Sequence, residues 1–180
     1  MQKASSVFLG WILCCLLVGV GVAAPLKSIP GLGSGDLTTG MKSALGMEFS
    51  GFRDLPGDRI RCGSRLADPS GITCCYGIEG TTPSKLDYIT FSVDRRVNGS
   101  PVGSLAEFRK ISAGFLGYGA TLPYDGANQD KAQAWVKSAA LNVKPGEERT
   151  MKVGGVVFEL SMNKKKDFMI LVVRAEGYQE

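Results

Sequence analysis

The sequence predicts an α+β domain, built on an antiparallel sheet of about five strands in the order β-β-β-α-α-β-β with two helices packed on one face. Three observations predict it. Residues 153–174 have the pattern of two strands joined by a turn, residues 59–94 contain three shorter strand patterns, and two amphipathic helical segments lie between these regions. Because the strands flank the helices in two runs, we expect one sheet with its helices on one side.

Residues 1–23 have the features of a cleaved signal peptide. Lys3 gives a positive start, residues 7–22 form an apolar run, and Ala23 offers a small side chain to signal peptidase shortly before Pro25. We therefore predict cleavage after Ala23 and a periplasmic or secreted location. The alternative is an uncleaved membrane anchor, because the apolar run is nearly long enough to span a bilayer.

Residues 24–51 are predicted to be a linker or loosely held arm. The segment is rich in glycine and serine and shows weak hydrophobic periodicity. One or two helical turns are expected at most, over residues 37–45. Residues 52–180 are then predicted to form a single α+β domain, which is an ordinary length for one domain.

Two strands are predicted over residues 59–62 and 71–78, and they carry the three cysteines outside the leader, Cys62, Cys74 and Cys75. Exported proteins fold where thiols oxidise. We expect a disulfide from Cys62 to Cys74 or Cys75, which would add about 3 kcal/mol of stability. The remaining cysteine is expected to be a buried free thiol, with an intermolecular bridge or a redox-active or vicinal pair as alternatives.

The middle of the chain predicts one more strand and both helices. Residues 86–94 alternate apolar and polar side chains, which indicates a third strand. Ser104 followed by Glu107 forms a capping box, which marks the start of a helix, and the glycine-rich residues 114–119 are expected to end it. A second helix is predicted over residues 129–142, where apolar side chains recur at helical spacing.

The last two strands give the clearest secondary-structure signal in the chain. Residues 156–162 alternate apolar and polar side chains, which predicts a strand with one buried face. Residues 168–173 are continuously apolar, so we expect that strand to be covered on both faces or paired centrally in the sheet. The lysines between the two strands mark an exposed turn, because ammonium groups are costly to bury.

A candidate interaction surface comprises Tyr118, Tyr124, Lys164, Lys165 and Lys166. The two tyrosines lie in the longest irregular stretch after the linker, where recognition residues often occur, although ordinary packing is the alternative for both. The lysines could dock to anionic lipid or to an acidic partner, with a solvated turn as the alternative.

The composition argues against most catalytic sites. The chain contains no histidine, so it lacks the commonest general base and the commonest zinc ligand. Ser161 and Lys164 match the serine-x-x-lysine spacing of penicillin-binding enzymes, but they fall at a strand end and a turn rather than on a helix. We therefore expect no enzyme activity, no metal and no cofactor. A net charge of +4 is too small to indicate nucleic-acid binding.

These observations predict an exported, non-enzymatic protein-binding module of a bacterial envelope or secretome, with a role like that of an inhibitor, immunity protein or accessory protein. Its partner is expected to be another protein. Membrane contact is expected only through the leader or weakly through the lysines. The alternatives are a periplasmic carrier of an apolar or lipid ligand and, third, a carboxylate-dependent hydrolase, since paired carboxylates can assemble from distant positions.

Overall fold

The computed structural model describes residues 28–178, so the predicted signal peptide and its cleavage site lie outside the described residues. Within that range the α+β class is confirmed, and the main sheet has seven strands rather than about five. The elements follow in the order α1 (Ser34–Leu45), β1 (Arg53–Leu55), β2 (Arg59–Ala67), β3 (Thr73–Thr82), β4 (Lys85–Asp94), β5 (Arg96–Val97), β6 (Ser100–Pro101), α2 (Leu105–Gly119), α3 (Gln129–Asn142), β7 (Glu148–Val153), β8 (Val156–Met162) and β9 (Phe168–Ala175).

The main sheet has the strand order β1-β2-β3-β4-β9-β8-β7, and all neighbouring strands are antiparallel. Strands β4 and β9 pair from Tyr88 opposite Arg174 to Asp94 opposite Phe168. This pairing, which we call the β4–β9 seam, joins the four strands that precede the helices to the three that follow them. The predicted terminal hairpin of β8 and β9 therefore lies inside the sheet.

The sequence prediction missed the two edge strands. Strand β1 has only three residues, which is too short to show an alternating pattern. Strand β7 carries a charge at three of its six positions, Glu148, Arg149 and Lys152. It joins β8 through Gly154 and Gly155, whose φ angles of 56° and 78° suit the two-residue turn that antiparallel hairpins favour.

Helices α2 and α3 cover one face of the sheet. As predicted, α2 begins after Ser104, whose hydroxyl accepts a hydrogen bond from the Glu107 amide at 3.0 Å. The ring of Phe115 on α2 lies edge-on to that of Phe91 on β4, with centroids 6.1 Å apart. The core between sheet and helices is fully buried at Ile89, Phe91, Val93, Phe108, Leu116, Val136, Ala140, Phe158, Leu160, Leu171 and Val173.

The prediction of a linker or loosely held arm is wrong for residues 28–51, which are the part of that segment that the structure describes. Helix α1 has twelve residues, rather than one or two turns, and the Gly33 amide donates to the Asp36 carboxylate at 3.2 Å at its start. The Ile29 amide donates to the Leu86 carbonyl at 2.7 Å, which fixes the segment to β4. Five apolar side chains of this segment are at most 3% exposed: Ile29, Leu32, Leu37, Met41 and Met47. These apolar residues are widely spaced among glycines and serines, so the sequence of the segment showed only weak hydrophobic periodicity.

The contact between α2 and β4 predicts opposite effects for two glycines of the same helix. A Cβ at Gly119 would lie 2.8 Å from the Phe91 ring, whereas a Cβ at Gly114 meets nothing within 4 Å. We expect Gly119→Ala to lower the free energy of unfolding by about 1–3 kcal/mol through overpacking. Gly114→Ala should raise it by about 0.5–1 kcal/mol through helix propensity. Urea unfolding of both variants tests this, and equal effects would contradict the packing described.

Candidate protein-interaction surface

The face of the sheet opposite the helices, which we call the open face, is covered by no helix among residues 28–178. Side chains alternate between the two faces along each strand. On the helix-covered face Phe91 and Leu171 are fully buried, whereas their open-face neighbours Ser92, Ile170 and Val172 are only partly buried. Of the two options predicted for residues 168–173, coverage on both faces is therefore wrong and central pairing is confirmed.

The middle of the open face carries no charge. Strand register places Cys75, Ser92, Ile170 and Ser161 side by side in one row. In the next row Gly77, Thr90 and Val172 lie side by side, and the charged Glu159 follows them on β8. Phe168 and Val157 extend the apolar part of this region. Charged side chains are concentrated at its ends and outer strands, and they include Arg61, Glu79, Arg174, Glu159, Arg65 and Asp94.

A buried ionic cluster forms one end of the open face. The Glu79 carboxylate is only 5% exposed and binds Arg61, with 2.5 Å from Nε to Oε1, and Arg59, with 3.4 Å from Nη2 to Oε2. Arg59 also lies 3.5 Å from Asp87 and 5.6 Å from the centroid of the Tyr88 ring. Burial and the hydrogen bond with Glu79 raise the pKa of Tyr88 to about 12. The cluster therefore fixes these charges in place.

Two further ion pairs lie on the open face. Arg174 donates to the Glu159 carboxylate, with 3.2 Å from Nε to Oε2, and to the Tyr178 carbonyl at 3.1 Å. At the opposite end Arg96 donates from Nε to Asp94 Oδ1 at 2.8 Å and from Nη2 to Oδ2 at 2.6 Å. The Arg96 hydrogen bond holds the pKa of Asp94 below its ordinary value. These carboxylates are therefore engaged by arginine side chains.

The sheet has two small grooves, one on the open face and one along the outer side of β2. The central groove, about 310 Å³, lies on the open face over Cys75, Gly77, Thr90 and Ser92. It exists because Gly77 has no side chain, and a Cβ there would lie 2.9 Å from Thr90 Oγ1. The lining includes the Cys75 thiol and the hydroxyl groups of Thr90 and Ser92, and at one end it reaches Tyr88 and the Arg61–Glu79 ion pair.

The second groove, which we call the edge groove, has a volume of about 410 Å³ and lies along the outer side of β2. Three arginines line it, Arg53, Arg61 and Arg65. Arg61 is paired with Glu79, whereas Arg53 and Arg65 form no ion pair within residues 28–178. Arg65 donates to Thr73 Oγ1 at 3.3 Å. The groove is therefore a site of positive potential.

Sequence reasoning missed this arginine set. Within this set, Arg61 and Arg65 are four residues apart, so a strand places them on one face. That signal was present in the sequence. Arg53 joins the set only because β1 pairs it with Arg61, and the short β1 has no pattern of its own.

The structure does not place the predicted tyrosines on an exposed surface. Tyr124 is 5% exposed, and its hydroxyl donates to the Val153 carbonyl at 2.9 Å. Tyr118 is partly buried, and its hydroxyl donates to the Gly40 carbonyl at 2.9 Å. Tyr118 lies within α2 and not in the predicted loop, and its hydrogen bond joins α2 to α1, whereas that of Tyr124 holds the following loop against the end of β7. Both tyrosines therefore have packing roles, which was the alternative interpretation.

The three predicted lysines are exposed in the turn between β8 and β9. The Asn163 side-chain oxygen accepts from the amides of Asp167 at 3.1 Å and Phe168 at 3.2 Å, which fixes the turn. The turn follows the end of β8, whereas Val153, the partner of Tyr124, precedes its start. The lysines and Tyr124 therefore do not form one surface, and any docking role of Lys164, Lys165 and Lys166 stays a prediction.

The predicted disulfide is not formed, and all three cysteines are free. Cys74 lies opposite Leu66, which is four residues along β2 from Cys62. At about 3.3 Å per residue this spacing exceeds the roughly 7 Å between Cα atoms that a disulfide tolerates. Cys75 lies on the open face, away from Cys62. The sequence interpretation assumed that the cysteines face each other, but the position of the turn after Ala67 sets Cys62 opposite Ile78.

Residues 28–178 contain no group of three or more side chains suited to hold a metal ion. Within the same range, every helix is too short or too polar to cross a membrane. Burial raises the pKa of the Cys62 thiol to about 11 and that of Cys74 to about 12. Both thiols are therefore protonated near neutral pH.

Comparison of the chain with protein-family models, with curated proteins and with solved structures found no match.

The ionic cluster gives a direct test of the open-face geometry. Glu79→Gln removes a buried negative charge from between two arginines, so we expect it to lower the free energy of unfolding by about 1–3 kcal/mol. The matched control is Glu176→Gln, which breaks an exposed pair with Lys152 and should cost less than about 0.5 kcal/mol. Chemical unfolding measures both, and equal losses would contradict the burial of Glu79.

The cysteines give a second test. With iodoacetamide at mildly alkaline pH, Cys75 should be alkylated before Cys62 and Cys74, because it alone is partly exposed. In the folded protein, burial raises the pKa of Cys62 to about 11 and that of Cys74 to about 12. The contribution of these two protonated thiols to stability is complete below the ordinary thiol pKa of about 8.5, and it declines as pH rises through the folded-state values. Peptide mass spectrometry identifies the labelled thiols. A Cys62–Cys74 disulfide in the folded protein would contradict the register of β2 and β3.

Proposed function

We propose that this protein is an exported, non-enzymatic module of a bacterial envelope or secretome that binds another protein through the open face. The observation that carries the proposal is the arrangement of that face, an uncharged centre between charged ends. Protein interfaces commonly have a core depleted of charged side chains and a polar rim. The proposed export depends on the signal-peptide pattern of residues 1–23.

When one face of an antiparallel sheet packs on the core, the uncovered face usually carries polar side chains. Here its centre includes Ile170 and Val172, and Phe168 continues this apolar row along alternate positions of β9 to the end of the face, where it lies opposite Asp94. Each is only partly buried within the described chain. Grouped apolar side chains of this kind favour contact with a second surface, which would remove the remaining area from water.

The position of these side chains in the sheet also supports a binding role. Strand β9 is hydrogen-bonded on both sides, to β4 and to β8, so its backbone is held along its length. Thr90 and Ser92 on β4 lie beside Val172 and Ile170. A surface held this firmly has little conformational freedom to lose on association, which favours affinity.

The proposal involves no catalytic step. The chain has no histidine, and Glu79, Glu159 and Asp94 on the open face are each bound by arginine. The hydrogen bond with Arg96 holds the pKa of Asp94 below its ordinary value, which favours the ionised form and makes this carboxylate a poor general acid. The open-face carboxylates are better explained as parts of ion pairs that limit which partner can dock.

Site-specific photo-crosslinking tests the proposal. A photoreactive amino acid is placed at Ile170 in the centre of the open face and, as the matched control, at Lys110, which is exposed on α2. The chain is expressed with its leader and irradiated in intact cells and in the culture medium. We expect a discrete protein adduct from position 170 and none from position 110. A third chain carries the photoreactive amino acid at Ser92, also on the open face. Adding the substitution Ile170→Glu to this chain should reduce the yield of its protein adduct at least about tenfold.

Three results would contradict the proposal. Adducts from position 110 but not from position 170 would place the binding surface on the helices. Recovery of lipid and no protein from the purified exported chain would favour the carrier alternative. Retention of the intact leader on a cytosolic chain would contradict the proposed export.

A further inference from the structure

The outer edge of β2 is only partly covered. Strand β1 pairs with β2 as far as Arg53 opposite Arg61. Gly63 is the next residue of β2 whose backbone groups face outward. The Ser50 hydroxyl donates to the Gly63 carbonyl at 2.5 Å and lies 3.4 Å from the Gly63 amide. Backbone groups that face outward recur at every second residue of a strand. The amides and carbonyls of Arg65 and Ala67 therefore also point away from β3.

These outward groups form a short free strand edge. Arg65 and Ala67 are exposed, and their backbone groups bond to no residue within 28–178 beyond the pairing of β2 with β3. Asp68 confirms the alternation, because its amide donates inward to the Ile72 carbonyl at 2.9 Å. A free edge of this kind can receive an extended segment of another chain as an added strand.

Charge indicates what kind of segment fits. The edge groove beside this strand edge has two guanidinium groups, those of Arg53 and Arg65, that no carboxylate in the described chain pairs. Arg65 also acts across β3 on Asp94, where its positive charge helps to lower the pKa of that carboxyl group. Side chains directly opposite each other on paired strands lie about 5 Å apart. An acidic side chain on an added strand would therefore lie beside Arg65.

The other face of β2 adds an apolar requirement. Leu66 points to the opposite face from Arg65 and is 41% exposed, and Phe49, just before the Ser50 contact, is also 41% exposed. A strand added next to β2 would place every second side chain on the same face of the sheet as Leu66. The edge therefore suits a segment in which acidic and apolar residues alternate.

The opposite edge of the sheet, β7, also pairs on one side only, but its charged side chains differ from those of the β2 edge. On β7, Lys152 is paired with Glu176 and Arg149 with Glu147. Edge strands are commonly protected from association by charged side chains, and β7 fits that description. The β2 edge instead combines free backbone groups with unpaired positive charge.

We propose that the β2 edge, with Arg53 and Arg65, binds an extended acidic segment of a partner protein by strand addition. The inference rests on the proposed protein-binding function and specifies the chemistry of the partner. The segment would continue the sheet beyond β2 with acidic side chains on the open face, so the open face and the added strand would form one contact surface.

Fluorescence anisotropy with the full chain after leader removal tests this. The probe is a short labelled peptide that alternates glutamate and valine, and its controls are the same peptide with lysine for glutamate and a version N-methylated at alternate residues. We expect the lysine and N-methylated peptides to bind at least about tenfold more weakly, because one loses the charge match and the other the backbone pairing. Arg65→Gln and Arg53→Gln should each weaken the glutamate peptide about threefold to tenfold. Lys110→Gln, which removes an exposed charge from α2, should have no effect.

The inference is overturned if the glutamate peptide does not bind, if its N-methylated form binds equally well, or if Lys110→Gln weakens it as much as Arg65→Gln does. Tighter binding of a sulfated oligosaccharide than of the peptide would also overturn it, since that result indicates an anion site without strand pairing. Any of these results together with a protein adduct from position 170 would leave the proposed function standing. Loss of that adduct as well would reject both.

Discussion

The β4–β9 seam is the interaction on which the rest of the structure depends. It pairs strands that are about eighty residues apart in the chain, from Tyr88 opposite Arg174 to Asp94 opposite Phe168. Its register places Phe91 and Leu171 under the helices and sets Ser92 and Ile170 on the open face. A shift of one residue would reverse both assignments, because successive side chains point to opposite faces. The burial of the core and the character of the open face therefore depend on the same pairing.

Local sequence patterns predicted the α+β class, three central strands, both large helices and the terminal hairpin. They predict these elements because alternation and capping are local signals, as in residues 86–94 and at Ser104. Helix α1 and the edge strands were missed because their structure depends on the rest of the fold. Met41 and Leu37 are spaced as a helix requires, but only the finished core shows that they are buried.

The candidate site was less predictable than the fold, because it depends on which strands become neighbours. Tyr124 was selected for its place in a loop, yet its hydroxyl is bonded inside the structure to Val153. The cysteines were paired by proximity in sequence, whereas the register of β2 and β3 separates Cys62 from Cys74. Conversely, the arginines of β2 become a site only when the outer edge of that strand is left partly uncovered. Such features follow from tertiary pairing and not from composition.

Solvent relaxation measured by methyl NMR tests the central claim most directly, which is that one face of the sheet is covered and the other is free. A soluble paramagnetic agent is added to the purified chain in the absence of any partner. The account predicts strong relaxation of the Ile170 and Val172 methyl groups and little effect at Leu171 and Val173, their neighbours on β9. Protection of Ile170 and Val172 equal to that of Leu171 and Val173 would contradict the account, because the open face would then be covered in the free protein.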